Sequence, residues 1–199
     1  MTTPLPKHAW IAELAPVEAD GLLLRPSAEG IAALHQLGRA TWVAHLGVAL
    51  SLPAPPARWR LADAPLAALS PTQRSALLQA DRPLLPHVLQ ETCNADGSLQ
   101  LRLCVPLELA HFDGHFPAAP VLPGVVQLGW ALALAAPRLG TAADCREFEA
   151  LKFQQLLRPG DEVELHLRWD AARGKLHFAY RHDGQAYSSG RLLLEHAHG

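Results

Sequence analysis

Between residues 111 and 127 the chain reads His111-Phe-Asp113-Gly-His115-Phe116-Pro117-Ala-Ala-Pro120-Val-Leu-Pro123-Gly124-Val125-Val-Gln127. Two groups in this run could do chemistry together. His115 carries an imidazole whose ordinary pKa of about 6.5 suits proton transfer near neutral pH. Gly124 stands where a helix should open, so its N–H has no intrahelical partner and points outward. Pro117, Pro120 and Pro123 each fix φ and remove a donor, a stiffness that holds a base in one place. Gly124 also lacks a Cβ, which lets a ligand approach the backbone. A base beside an aimed amide is equipment for taking a proton next to a carbonyl and stabilising the oxyanion that forms.

The flanking sequence predicts the elements that must hold these groups. Val88–Cys93 reads as a short strand, Asn94-Ala-Asp96-Gly97 as a turn, and Leu99–Leu109 as a half-buried strand with alternating apolar residues. Gly124–Leu139 is the longest apolar helix, with Val125, Val126, Leu128, Trp130, Ala131, Leu132 and Leu134 around nearly all of its circumference, so it should be buried. Strands follow at Phe148–Gln154, Val163–Trp169, Lys175–Tyr180 and Gln185–Glu195. On these strands His166 and His177 should face solvent, and Trp130 should pack in the core. The pattern is α+β: an antiparallel sheet wrapped around one long central helix, the hot-dog arrangement.

The run His115–Val125 resembles the His-Phe-Pro-x-x-Pro-x-x-Pro-Gly-Val signature of the hot-dog β-hydroxyacyl-(acyl carrier protein) dehydratases, and matches it at every fixed position. Phe148-Glu-Ala-Leu-Lys152-Phe153 followed by Leu157-Arg158-Pro159-Gly160-Asp161 is similar to that family's second block. The form Pro-Gly-Val-Val-Gln-Leu-x-Trp is nearest to the branch associated with aryl polyene and related pigment pathways. The resemblance implies dehydration of a 3-hydroxyacyl thioester on an acyl carrier protein or coenzyme A, with no cofactor and no metal. It implies His115 as base, Gly124 as the donor to the thioester carbonyl, and Phe116, Pro123, Val125, Gln127 and Gly129 as residues along the substrate. It also implies a homodimer, or a heterodimer with another hot-dog protein.

One position departs from the family. Its acidic residue stands fourteen places after the histidine, and here residue 129 is glycine. Gly129 cannot donate a proton, and in a helix interior it costs about 1 kcal/mol against alanine, so a packing or access reason is expected. Close approach of a neighbouring element is one, and room for a bulkier acyl group is another. Asp113 and His111 are auxiliary candidates for the missing function: Asp113 by orienting the imidazole or reaching substrate, His111 as a charged donor. Two other readings stay open. The same fold hosts acyl thioesterases, and a chain without its acid could bind acyl thioesters while pairing with an active dehydratase.

Residues 1–85 differ in composition from 86–199 and are expected to form a small, mainly helical extension. Ser27 should cap a helix over Ala28–Leu46, Pro53–Pro56 should be a linker, and Arg58-Trp59 a partly exposed corner. The run Pro55-Pro-Ala-Arg58-Trp59-Arg60-Leu-Ala-Asp63-Ala-Pro65 resembles one near the C-terminus of adenylate-forming acyl or aryl ligases. The lysine that serves adenylation in that family has no counterpart, since no lysine occurs between Lys7 and Lys152. The segment is thus either a degenerate ligase remnant or an unrelated helical cap. A net charge of −2 gives no electrostatic case for nucleic acid or an anionic membrane. No apolar run is long enough to span a bilayer, and the start lacks the pattern of a signal peptide, so a cytoplasmic location is expected. Cys93, Cys104 and Cys145 should be free, buried thiols, and His196 and His198 a tail pair lacking a third ligand.

Overall fold

Three consecutive leucines, Leu22–Leu24, are buried, and they face two separate cores: Leu22 and Leu24 one, Leu23 the other. A strand covered on both faces reads as an uninterrupted apolar run, and the first unit of the molecule is built around it. The computed structural model describes residues 7–17, 21–50, 58–113 and 118–194. By contacts the chain divides into two compact units, one of 1–84 with 106–121, the other of 85–105 with 122–199. The sequence division at residue 85 is a single linear cut. In the structure Pro106–Val121 groups with the first unit, because Leu107 joins its core and the Leu107 amide donates to Asp63 Oδ1 at 2.9 Å.

In that unit β1 (Ile11–Val17) pairs antiparallel with β2 (Gly21–Pro26). Helix α1 (Ala28–Ala49) crosses over to β3 (Arg58–Leu61), which pairs parallel to β2. Ser27 caps α1 as expected, its Oγ accepting from the Gly30 amide at 3.1 Å. The helix breaks its dihedrals once, at Gly38. Leu34, Trp42 and Leu46 of α1 cover one face of the sheet. Leu66 and Leu78, the latter on α2 (Pro71–Gln79), cover the other. Ser70 and Gln73 form a reciprocal capping box at the start of α2. Helix outweighs strand here, but the three strands were not foreseen. Trp59 is a correction: it is a core residue of β3, 5% exposed, rather than a corner. Residues Pro53–Pro56 lie outside the described residues.

The second unit is a six-stranded antiparallel sheet. Its strands are β4 (His87–Cys93), β5 (Leu99–Cys104), β6 (Cys145–Phe153), β7 (Glu162–Asp170), β8 (Lys175–His182) and β9 (Gln185–Leu194). Their order is β4-β5-β7-β8-β9-β6. Leu99, Leu101 and Leu103 on β5, Val163, Leu165 and Leu167 on β7, and Leu176, Phe178 and Tyr180 on β8 point to one buried face, the period of two that defines a half-buried strand. Helix α3 (Gly124–Leu139) has the predicted bounds and buries Leu128, Trp130, Ala131, Leu134 and Ala135. It is not buried all round. Val125, Gly129, Ala133 and Pro137, four residues apart, form one exposed stripe. None of the three cysteines is buried as expected: Cys93 is exposed, as is every residue of edge strand β4, and Cys104 and Cys145 are half-buried. Strand β5 stops at Cys104 rather than Leu109, where Pro106 ends the ladder.

Candidate active site

The segment 106–121 leaves the second unit after Val105 and re-enters it at Leu122, and both ends are tied to one turn. The Val105 amide donates to the Asp161 carbonyl at 2.9 Å, the Gly160 amide to the Val105 carbonyl at 2.8 Å, and the Leu122 amide to the Leu157 carbonyl at 2.8 Å. The turn braces itself, the Arg158 amide donating to Asp161 Oδ2 at 2.8 Å. Gly160 sits at φ 83°, which only glycine adopts without strain. The second sequence block, Leu157-Arg158-Pro159-Gly160-Asp161, is therefore the clasp for both stems of the signature segment.

The signature delivers the chain to the start of α3. Pro123 is the N-cap residue and offers no side-chain cap. Its carbonyl accepts from the Val126 and Gln127 amides at 3.1 and 3.2 Å. Among the described residues the Gly124 amide has no backbone partner outside α3. Gly124 has a packing reason as well. A Cβ there would stand 2.7 Å from the Phe153 ring, so a larger residue would displace that ring. His115 and Phe116 lie outside the described residues.

Gln127 is buried and fully engaged. Its Oε1 accepts from the Ser188 hydroxyl at 2.6 Å, its Nε2 donates to the Leu122 carbonyl at 3.4 Å, and its main-chain carbonyl accepts from the Tyr180 hydroxyl at 2.8 Å. Burial pushes the Tyr180 phenol far up, so it remains a neutral donor. These bonds lock the first turn of α3 to β8 and β9, and the side chain of Gln127 is occupied by them. Ser188 and Tyr180 were not foreseen from the sequence, where their one signal is a polar group on an otherwise apolar strand face. Gly129 is the opposite case. It is exposed, and a Cβ there meets nothing within 4 Å among the described residues. Close approach of a described element of this chain therefore does not account for the glycine.

The described residues just before the signature belong to the first unit. His111 lies in a 3₁₀ turn, Ala110–Phe112, and Asp113 follows it with its carboxylate paired to Arg82. Arg82 also donates to the carbonyls of Glu108 and Leu109 at 3.0 and 3.1 Å. The buried Glu108 carboxylate collects Arg39 at 3.0 Å, Arg82 at 3.4 Å, Arg60 at 3.7 Å and the Leu61 amide at 2.9 Å. This cluster fixes residues 108–113, and the sequence reading did not find it. Its one legible sign was a lone acid inside the apolar run Val105–Leu109. Among the described residues no three His, Cys, Asp or Glu side chains gather as a metal site requires. No helix among them is long and apolar enough to cross a membrane. His196 and His198 lie outside the described residues.

An antiparallel sheet around a central helix, entered through this proline-rich signature, defines a hot-dog protein. The chain belongs to the ApeI-like family, described as ApeI dehydratase, whose model matches residues 90–191. Among solved structures it is similar to the dehydratase heterocomplex ApeI:P from Xenorhabdus doucetiae, with 32% identity and a TM-score of 0.52, covering 56% of this chain and 98% of that one. It is similar also to an uncharacterized protein from Erwinia carotovora subsp. atroseptica, with 31% identity and a TM-score of 0.50, covering 57% of this chain and 98% of that one. Among curated proteins, the 3-hydroxyacyl-acyl-carrier-protein dehydratase FabZ of Jannaschia sp. (strain CCS1) is 35% identical over 95 residues, 43% of this chain and 58% of the relative. The FabZ of Nitratidesulfovibrio vulgaris (strain DP4) is 37% identical over 94 residues, 42% of this chain and 58% of the relative. The chain thus spans 58% of the length of these curated relatives.

Proposed function

We propose that this chain dehydrates 3-hydroxyacyl thioesters carried on an acyl carrier protein, within fatty-acid, aryl polyene or related polyketide synthesis. His115 takes the α-proton. The thioester carbonyl oxygen, as it gains negative charge, is met by the Gly124 amide at the positive end of α3. The C3–O bond then breaks, the double bond forms between C2 and C3, and the hydroxyl leaves as water once it receives a proton. The observation that carries this reading is the Gly124 amide at the start of the helix into which the signature runs. Gln127 acts as a positioning residue, since its amide is spent on Ser188 and Leu122.

The proton for the departing hydroxyl comes, in this reading, from a second hot-dog chain. The stripe Val125, Gly129, Ala133 and Pro137 is exposed on α3, and Phe148, Leu151, Phe153 and Leu156 are exposed on and just after edge strand β6. Apolar surface of this kind beside a glycine that replaces the acid favours a partner that covers it. The ApeI:P structure is itself a heterocomplex of dehydratases. Purified chain is to be assayed with a 3-hydroxyacyl thioester, alone and with an active hot-dog dehydratase. Enoyl thioester that forms faster with the partner is the expected result. Release of free thiol without enoyl product would make the chain a thioesterase and end this reading.

A further inference from the structure

A groove of about 370 Å³ lies on the outer face of the six-stranded sheet, and none of the residues of the proposed reaction lines it. Its lining includes Lys152, Arg168, Arg191, His166 and His177, and no carboxylate. That is unexpected for a chain with more acidic than basic residues. The strand register shows how it arises. Arg168 on β7 and Arg191 on β9 both stand directly opposite His177 on β8. In the next row His166 and Ser189 flank Ala179, and Lys152 stands opposite Ser189.

The floor of the groove is bare. Ala179, Gly190 and Ala150 line it, and β6 carries a bulge there, with Ala150 at φ 49° and the register slipping between Glu149 and Lys152. A Cβ on Gly190 would come within 2.6 Å of Leu151 and 2.9 Å of Phe178. Small residues below and cations at the rim make a concavity on a sheet face where side chains normally stand out.

Two guanidiniums held across one strand from each other on a sheet face keep a field that favours an anion between them. Carboxylates stand around the groove without lining it: Glu149 binds Lys175 at 2.8 Å and reaches Arg191 at 3.8 Å, Asp96 lies within the field of Arg168, and Asp170 within that of His177. Glu164 lies beside His166 at 3.3 Å. Arg168 and Lys152 make no ion pair among the described residues. The His177 Nε2 is shielded from water and has no hydrogen-bond partner among the described residues. Burial first, and then Arg168 and Arg191, hold the His177 imidazole below its usual pKa.

From the convergence of Arg168, Arg191 and Lys152 on a carboxylate-free groove, we infer that this face of the sheet binds a phosphate group. Two guanidiniums set across one strand are spaced to take its oxygens from either side, and the Ser98 and Ser189 hydroxyls add neutral donors at the lining. The inference is independent of the proposed reaction.

The test is calorimetric titration of the full chain with inorganic phosphate at constant ionic strength, alongside the double variant R168Q/R191Q. The expected result is saturable binding with a Kd of about 1 mM or tighter, weakened at least about tenfold in the double variant. The single variant R168Q should bind phosphate more weakly than the parent chain. The rate of the proposed dehydration should be unchanged in both. Failure of the parent chain to saturate overturns the inference. So does binding by R168Q/R191Q equal to that of the parent, which would place the ion elsewhere.

Discussion

Replacing Gly129 by glutamate separates a missing acid from a remodelled pocket. A Cβ at 129 meets nothing within 4 Å among the described residues, so the substitution carries no steric cost in this chain. Position 129 is exposed, so the carboxylate keeps its water. Glutamate is a better helix former than glycine, by roughly 0.5 kcal/mol. The amides of α3 should therefore exchange hydrogen about twofold more slowly, since this energy corresponds to a factor near two at RT of about 0.6 kcal/mol. A positioned general acid is worth about 10²–10⁴ in rate. Gly129→Glu should raise dehydration by the chain alone by at least about a hundredfold, with little further gain on adding a hot-dog partner. Slower exchange with an unchanged or lower rate would refute the reasoning, because the helix would have accepted the acid without using it. Faster exchange would show that the space over Gly129 is not open.

Three further expectations bear on what holds the site together. Gly160→Ala forces a side chain onto a backbone at φ 83° and should cost about 1–2 kcal/mol; thermal melting and the dehydration rate should fall together, since both stems of segment 106–121 hang on that turn. Ser188→Ala leaves the buried Gln127 side-chain Oε1 unpaired and should cost about 1–3 kcal/mol in denaturant unfolding, with no loss in a Gln127→Met background. The hydrogen bond from Lys175, more than the fields of Lys175 and Arg191, holds the Glu149 carboxyl below its ordinary 4.5. A depressed folded pKa gives stability that is complete above 4.5 and is lost as pH falls through the folded value. Glu149→Gln should therefore flatten the acid limb of the stability profile below that pH and leave the neutral region nearly level.

The second unit was far more readable than the first. The bounds of α3 follow from Pro123 before it, Gly140 after it and an apolar run between, all local signals. Strands β7 and β8 alternate strictly and are joined by a turn, so pattern and pairing agree. The overrun of β5 to Leu109 has a tertiary cause. Leu107 and Leu109 keep the alternation but are buried outside the ladder, Leu107 in the core of the first unit, and periodicity cannot say which core a side chain joins. In residues 1–84 the strands are short, and β2 is buried on both faces. Leu22–Leu24 therefore shows no alternation to distinguish strand from helix. The clasp at Leu157–Asp161 was legible as a motif, but its partners Val105 and Leu122 were not, because they are distant in sequence. The cation rows on the outer sheet face become visible only once the register of β6 to β9 is known.

The claim at the centre is that one imidazole removes the proton. Dehydration of a 3-hydroxyacyl thioester should be followed for the parent chain and for His115→Ala, each with the same hot-dog partner and each with its melting curve. The account predicts a loss of at least about a hundredfold at an unchanged melting temperature. Turnover by His115→Ala at the parent rate would contradict it.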